Sequence, residues 1–350
     1  MSATRKSRAR HVVHRPASCA ADGLAWAYPS WVGNGTGSPY GAPALSTKYL
    51  VNWVEGMAST WGVSIDYLGQ WNEMPASPDF ILALRASLDA AGLHSTGLVG
   101  SDKDWSLADA INNSTQLRDA LVALGAHYPA SSSTPAARQT GLPLWASEDF
   151  SDFNRGASHW GAQWWVVAVV GSFFEWWQSA SPMLPNAFPR PRSWVRTLNH
   201  NYIDGNITAG IMWHMASVMD ERQWWYGASA LNAPQPWSGY YEVTSTLWAF
   251  AHTTQFSAPG WSYLPYASGS GNLTGGGTYV ALTDAARGQL SIVIEKVAYA
   301  ASMCEHNGLP YATEDEVATF TLGGAFADLS SLEAWYTHYG DGSDGLPTGE

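Results

Sequence analysis

The amino-acid sequence predicts an α/β protein, a (β/α)8 TIM barrel followed by a partial β-sandwich domain. Short apolar runs alternate with helical patterns as far as about residue 255, which is typical of βα units around a parallel sheet. After that point short alternating strands are separated by glycine-rich turns, as in a β-sandwich. A chain of 350 residues that is 46% hydrophobic is long enough for one large and one smaller core.

The barrel prediction depends on six apolar runs that have the length of buried strands. They cover residues 24–31, 65–71, 96–102, 121–129, 142–150 and 207–214. Helices are predicted between them at 46–60 and 78–92. The second is predicted because apolar residues recur near 3.6-residue spacing, at Phe80, Leu82, Leu84, Leu88 and Ala91. A closed barrel has eight strands, so we expect the first two βα units to be missing from this chain.

The β-sandwich prediction depends on four shorter runs, residues 279–283, 290–297, 317–324 and 332–338. We therefore expect a partial barrel over 23–255 and a partial sandwich over 256–350. Residues 1–22 form a basic leader that has no apolar stretch and is not a signal peptide.

Residues 159–193 fit neither pattern and are interpreted as an inserted loop. Their apolar core, from Trp164 to Phe174, is shorter than the ~20 residues that cross a bilayer. No transmembrane segment is therefore predicted.

Composition and motifs exclude several classes of protein. A net charge of −12 argues against a nucleic-acid partner, which requires a basic surface. Cys19 and Cys304 form no disulfide framework or metal motif. The sequence has no P-loop, no H-E-x-x-H and no G-x-S-x-G, and we expect no cofactor. The 20 tryptophans suit clefts in which aromatic rings stack on sugars.

Two glutamates close predicted strands, and functional side chains of a barrel collect at the carboxyl ends of its strands. Glu73 follows Asn72 at the end of IDYLGQWNE, and Glu148 lies in LWASEDF. Glycoside hydrolysis requires such a pair, one carboxyl to protonate the leaving oxygen and one carboxylate to attack the anomeric carbon. Strand-end glutamates also make ordinary ion pairs, which is the alternative interpretation.

Long strings of the sequence resemble the galactosylceramidase (galactocerebrosidase) family. The similar strings are GLAWAYPSWVGNG, IDYLGQWNE, GAHYP, LWASEDFS, LNHNYIDGNITAGIMWH, PQPWSGYYEV, AHTTQFSAPGW and YVALTD. The resemblance implies a retaining β-galactosidase that cleaves galactosylceramide to galactose and ceramide. It further implies that Glu73 is the proton donor and Glu148 the nucleophile, with galactose contacts at Trp26, Asn72 and Trp213.

The sequence also departs from that family. His306 stands where the family has a sugar-contacting arginine, and Cys304 lacks its family partner because that position is Ser193. Residues 159–193 have no counterpart, and we interpret them as a retained intron. Two alternatives therefore stay open: a truncated, non-catalytic sugar-binding remnant, or a related glycosidase acting on another β-glycoside.

The family resemblance implies a lysosomal or secretory protein that acts on a galactosphingolipid with a lipid-presenting helper protein. Asn-x-Ser/Thr sequons are consistent with the secretory route, at Asn34, Asn112, Asn113, Asn206 and Asn272.

Overall fold

The structure is a computed structural model. It describes residues 20–32, 38–149, 166–169, 194–218, 229–284, 286, 288–296, 314–327, 329, 333–339 and 347–348. The chain divides into two compact units, the first formed by residues 1–125 and 139–143, the second by 126–138 and 144–350. Within the described ranges, no helix is long and apolar enough to span a membrane.

The first unit contains a parallel sheet. Strands β1 (Asp22–Gly23), β2 (Tyr67–Leu68) and β3 (Gly97–Lys103) are neighbours in that order, and β4 (Ala123–His127), which begins in this unit, follows β3. Tyr67 lies opposite Asp22 on one side and Gly97 on the other. Six of the seven residues of β3 and all of β4 are buried, as expected for strands covered on both faces.

Helices α1 (Pro43–Gly56) and α2 (Pro78–Ala90) precede β2 and β3, which gives the βα order that the sequence predicts. Each begins with proline at the first position, where the missing N–H costs no hydrogen bond. The Ser77 side chain caps α2 by accepting from the Phe80 N–H at 3.3 Å. Two short helices, α3 (Ala108–Asn112) and α4 (Thr115–Asp119), precede β4.

The second unit continues the parallel pattern. Strand β5 (Leu144–Asp149) pairs in parallel with β7 (Ile207–Met212), so that Asp149 lies opposite Met212. Helix α5 (Pro135–Gln139) precedes β5, and α6 (Trp194–Ile203) precedes β7. A small sheet follows, formed by β8 (Ala216–Ser217), β9 (Leu231–Asn232) and β10 (Glu242–Val243), and then helix α7 (Ser245–Thr254).

A largely antiparallel sheet forms the rest of the second unit. Its strands are β6 (Val166–Val169), β11 (Ser262–Tyr263), β12 (Ser270–Asn272), β13 (Thr278–Asp284), β14 (Gln289–Glu295), β15 (Ala334–Tyr339) and β16 (Pro347–Thr348). Their order is β11, β13, β14, β6, β15, β16, with β12 also on β13. Alternating side chains of β13 and β14 bury both faces of the sheet, Ile292 and Ile294 in one apolar cluster and Val280 and Val293 in another that includes Val195 of α6.

Two predicted strands are wrong. Residues 24–31 form no strand, and the strand lies just before them, at Asp22–Gly23. Pro29 has no N–H to donate to a neighbouring strand, and Trp31 is exposed. Residues 317–324 form no strand in the described part of the chain and run into a 3-10 turn at Gly324–Phe326. Their apolar alternation instead places Phe320 and Leu322 against the β13–β14 core.

The prediction that residues 159–193 form a loop is wrong for four of these residues. Val166–Val169 forms strand β6, which pairs with β14 on one side and β15 on the other. Three valines in a run of four favour a strand, since β-branched side chains fit a pleated surface. The rest of this segment and the basic leader, apart from Ala20 to Asp22, lie outside the described residues.

Protonation of His252 in α7 should make stability depend on pH. The ring is buried, and burial lowers its pKa from 6.5 to about 4, so the folded protein holds it neutral. Between pH 4 and pH 6.5 the unfolded chain binds this proton and the folded protein does not. The contribution of neutral His252 to the free energy of unfolding is therefore complete above pH 6.5 and is lost as the pH falls towards 4. The loss should reach about 3 kcal/mol.

Urea unfolding at several pH values measures this loss. The His252→Leu variant should lose the part of the pH dependence that lies between 4 and 6.5. An unchanged pH dependence in that variant would contradict the assignment to His252.

Candidate active site

In the first unit, the loop after β2 carries Trp71 and two residues singled out in the sequence, Asn72 and Glu73. The Asn72 N–H donates to the Ala25 carbonyl at 2.9 Å, which places Asn72 beside the segment of Trp26. The Glu73 N–H donates to the Asp102 carbonyl at 3.0 Å, so the end of β3 holds the Glu73 backbone. Trp26 is 58% exposed and Glu73 is exposed, while the Asn72 Oδ1 atom is buried.

Two tyrosines fix this loop. The Tyr28 hydroxyl donates to the Gln70 carbonyl at 2.7 Å, and the Tyr40 hydroxyl donates to the Pro75 carbonyl at 3.0 Å. The Trp71 ring packs edge-on against both tyrosines, with centroid distances of 6.4 Å to Tyr28 and 5.6 Å to Tyr40. The backbone on either side of Asn72 and Glu73 is thus tied to the first unit by aromatic side chains.

Asp102 lies beneath this loop and is buried. Its carboxylate occupies the space next to Gly69, where a Cβ atom would come within 2.2 Å of the Asp102 Oδ2. Burial and, to a smaller extent, the negative charge of Asp102 together raise the pKa of Tyr40 to about 12. Asp102 therefore adds negative charge close to Glu73 without being exposed itself.

In the second unit, Glu148 lies at the end of β5 and is 6% exposed. The Tyr128 hydroxyl donates to its Oε1, and the Tyr128 N–H donates to the Glu148 carbonyl at 2.8 Å. The His127 Nδ1 lies 3.7 Å from the other carboxylate oxygen, Oε2. A buried carboxylate is costly unless polar groups replace its water, and here the last residue of β4, His127, and the next residue, Tyr128, supply them.

The residue after Glu148 is held by a chain of side-chain hydrogen bonds. The Asn201 Nδ2 of α6 donates to the Asp149 Oδ2 at 3.0 Å, and the Ser131 hydroxyl donates to the Asn201 Oδ1 at 2.8 Å. All three residues are buried. The chain fixes the end of β5, and with it the direction of Glu148.

Trp213 and His214 follow β7 at the same edge of the sheet. The Trp213 N–H donates to the Asp149 carbonyl at 2.7 Å, which continues the β5–β7 pairing past Met212. The indole and imidazole rings lie 4.5 Å apart between centroids at an angle of 40°. Both side chains are partly buried.

Several non-glycine residues near these strand ends have left-handed backbone. Glu73, Asp102 and Tyr128 have φ values of 54°, 54° and 47°. Such conformations are uncommon for residues with a Cβ and are concentrated at functional sites. They support a functional role for the carboxyl ends of the strands in each unit.

The structure places the predicted site residues at strand ends within each unit. It brings Asn72 and Glu73 together with the Trp26 segment in the first unit, and Glu148 together with Trp213 in the second. His306 lies outside the described residues. Tyr128 and Asp102 were not predicted as site residues. Both lie at the ends of predicted strands, and that position is the signal that could have indicated them.

Comparison with protein families gives two matches. "Glycosyl hydrolase family 59" matches residues 11–255, and "Glycosyl hydrolase family 59 central domain" matches residues 266–345.

Similar proteins include the galactocerebrosidases of Danio rerio, Mus musculus and Homo sapiens. They are 37%, 38% and 36% identical to this chain over 90%, 91% and 92% of its length. The chain spans 42% of the length of each of these relatives. Among solved structures, a glycoside hydrolase family 30 subfamily 8 xylanase from Clostridium acetobutylicum matches with a TM-score of 0.48 and 14% identity, over 75% of this chain and 64% of that one.

Gly69→Ala should destabilise the first unit, because the added methyl group would lie 2.2 Å from the Asp102 Oδ2 and 2.6 Å from the Leu24 Cδ1. Overpacking of this kind costs about 1–3 kcal/mol, measurable by urea unfolding. Gly56→Ala, at the end of α1, is the matched control because a Cβ there meets nothing within 4 Å. Equal stability of the two variants would contradict the packing described for Asp102.

Proposed function

The chain belongs to glycosyl hydrolase family 59, and we propose that it carries the catalytic site of a retaining β-galactosidase. The reaction is hydrolysis of a β-galactosyl lipid of the galactosylceramide type through a covalent galactosyl-enzyme intermediate. The observation that carries the proposal is Glu148, a buried strand-end carboxylate that accepts a hydrogen bond from Tyr128. The names of the similar proteins supply the sugar and the lipid.

Glu148 is proposed as the nucleophile. One of its oxygens bonds to the anomeric carbon of galactose while the bond from that carbon to the leaving oxygen breaks. The hydroxyl of Tyr128 orients the carboxylate for the attack. Burial from bulk water and fixed hydrogen bonds favour such preorganised chemistry.

Glu73 is proposed as the acid and base. It protonates the leaving oxygen in the first step and then removes a proton from the water that attacks the galactosyl-enzyme bond. Its exposed side chain suits a group that exchanges protons with water. The adjacent Asn72 has a buried amide oxygen with no hydrogen-bond partner in the described part of the chain, as a residue that binds a sugar hydroxyl would have.

Three further residues are proposed to bind the galactosyl group. Trp26 and Trp213 offer indole rings to the apolar face of a sugar, and the exposed Trp26 is free of the core packing that would explain a structural tryptophan. His306 is proposed as a weaker substitute for the family arginine.

The partner, the cellular location and the domain organisation are proposed from the same family. A ceramide leaving group requires a lipid-presenting partner, and the lysosomal or secretory route is the proposed location. We also propose that residues 23–255 are an incomplete TIM barrel and that residues 256–350, with the antiparallel sheet, are part of a β-sandwich.

Replacement of each proposed catalytic carboxyl group should give a different outcome with an aryl β-galactoside. Glu148→Gln should abolish turnover because no nucleophile remains. Glu73→Ala should slow turnover by about 10²–10⁴-fold with a poor leaving group and far less with nitrophenol, which needs no proton.

Added azide distinguishes the two roles through the product. It should restore turnover of Glu73→Ala and give the β-galactosyl azide, because azide attacks the galactosyl-enzyme in place of water. A Glu148→Gly variant rescued by azide should give the α-azide. Wild-type protein that folds but turns over no faster than Glu148→Gln would refute the proposed activity for this chain.

Tyr128→Phe should lower the turnover rate and leave the fold intact, because it removes one hydrogen bond to a charged group. Hydrogen bonds of this kind contribute about 1.5–3 kcal/mol, which corresponds to roughly 10- to 100-fold in rate. Tyr266→Phe is the matched control, since this tyrosine of the second unit is exposed and its hydroxyl contacts the Asn272 amide and not Glu148. A Tyr128→Phe enzyme with wild-type kcat would show that Glu148 does not depend on this contact.

A further inference from the structure

His214 is a polar side chain next to the proposed nucleophile strand that the proposed mechanism does not use. It follows Trp213, whose N–H is bonded to the Asp149 carbonyl at 2.7 Å. It therefore lies beyond the end of β7, at the edge of the sheet where β5 presents Glu148.

Both ring nitrogens of His214 are buried, and neither has a hydrogen-bond partner on another residue in the described part of the chain. Buried polar atoms without partners are rare in folded proteins because they lose their bonds to water and gain none in return. Burial also lowers the pKa of His214, so the ring is held neutral, with one N–H donor and one acceptor nitrogen. Such a side chain suits a ligand that can both accept and donate a hydrogen bond.

The neighbouring ring indicates which kind of ligand this is. The Trp213 indole lies 4.5 Å from the imidazole at a tilt of 40°, so a flat apolar surface and two polar atoms occur side by side. A sugar ring has the complementary features, an apolar face of C–H groups and hydroxyl groups at its edge. Each hydroxyl group can both donate and accept.

We propose that His214 is a specificity-determining residue that hydrogen-bonds hydroxyl groups of the sugar that stacks on Trp213. One nitrogen donates to a hydroxyl oxygen and the other accepts from a hydroxyl proton. The inference rests on the proposed function, in which Trp213 contacts the galactosyl group, and adds the residue that selects its hydroxyl pattern. A site built to bond a hydroxyl discriminates strongly against an analogue that lacks it, because its buried polar atoms are then left unpaired.

Binding to the full chain tests the proposal without relying on turnover. Calorimetry should compare methyl β-galactoside, its monodeoxy analogues and a galacto-configured iminosugar on wild type and His214→Phe. The phenylalanine keeps a ring next to Trp213 but removes both nitrogens, and it should weaken binding by roughly 10- to 100-fold. At least one monodeoxy analogue should bind wild type and His214→Phe with equal affinity. This analogue lacks the hydroxyl group that His214 binds, so removal of the His214 nitrogens costs it no further affinity.

Two variants control for structural effects. His214→Asn should recover most of the lost affinity, since an amide also offers a donor and an acceptor, and it serves as the test if His214→Phe does not fold. His94→Phe, at an exposed histidine of the first unit, should bind the sugar as wild type does.

The outcomes separate the two proposals. Wild type that binds the sugars but does not hydrolyse galactosides refutes the catalytic proposal and leaves the result for His214 standing. Wild-type affinity in both His214 variants, or equal losses for every deoxy analogue in wild type and His214→Phe, overturns the role of His214. Wild type that binds none of the sugars overturns both.

Discussion

A charged carboxylate must keep hydrogen bonds when a strand carries it into a protein interior, and this requirement organises the second unit. Glu148 is 6% exposed and would lose most of its hydration. The phenol of Tyr128 replaces part of that hydration, and the buried chain from Ser131 through Asn201 to Asp149 fixes the residue that follows. The turn after β4 and the helix before β7 are therefore held in place by the same short stretch of β5.

The first unit meets the opposite requirement, since Glu73 is exposed but its position must still be defined. Its backbone is bonded to Asp102, and Tyr28 and Tyr40 fix the residues on either side. Left-handed backbone at Glu73 and Asp102 turns the chain where each strand ends. Each unit thus places a glutamate at a strand end, one by burial and one by ties to the backbone.

The strands buried on both faces could be predicted from the sequence, because their apolar runs end where the chain leaves the core. β3, β4 and β5 lie within the predicted runs or one residue beyond them, and so does β7, although it is only partly buried. β1 could not be predicted, since the aromatic residues that suggested a strand at 24–31 include exposed tryptophans. The strand-end positions of Glu73 and Glu148 were predictable from the sequence, while their catalytic roles stay predictions. Tyr128 also lies at a predicted strand end, but its contact with Glu148 could not be predicted, because that contact joins the ends of two different strands and leaves no local periodicity.

Strand β6 has a consequence for the synthesis of the protein. Its two sheet neighbours, β14 and β15, lie far towards the carboxyl terminus of the chain. During synthesis, β6 therefore emerges from the ribosome long before either neighbour has been made. Until then this valine-rich segment has no neighbouring strand, so it can associate with other chains. The yield of folded protein should therefore be limited by how quickly translation reaches β15.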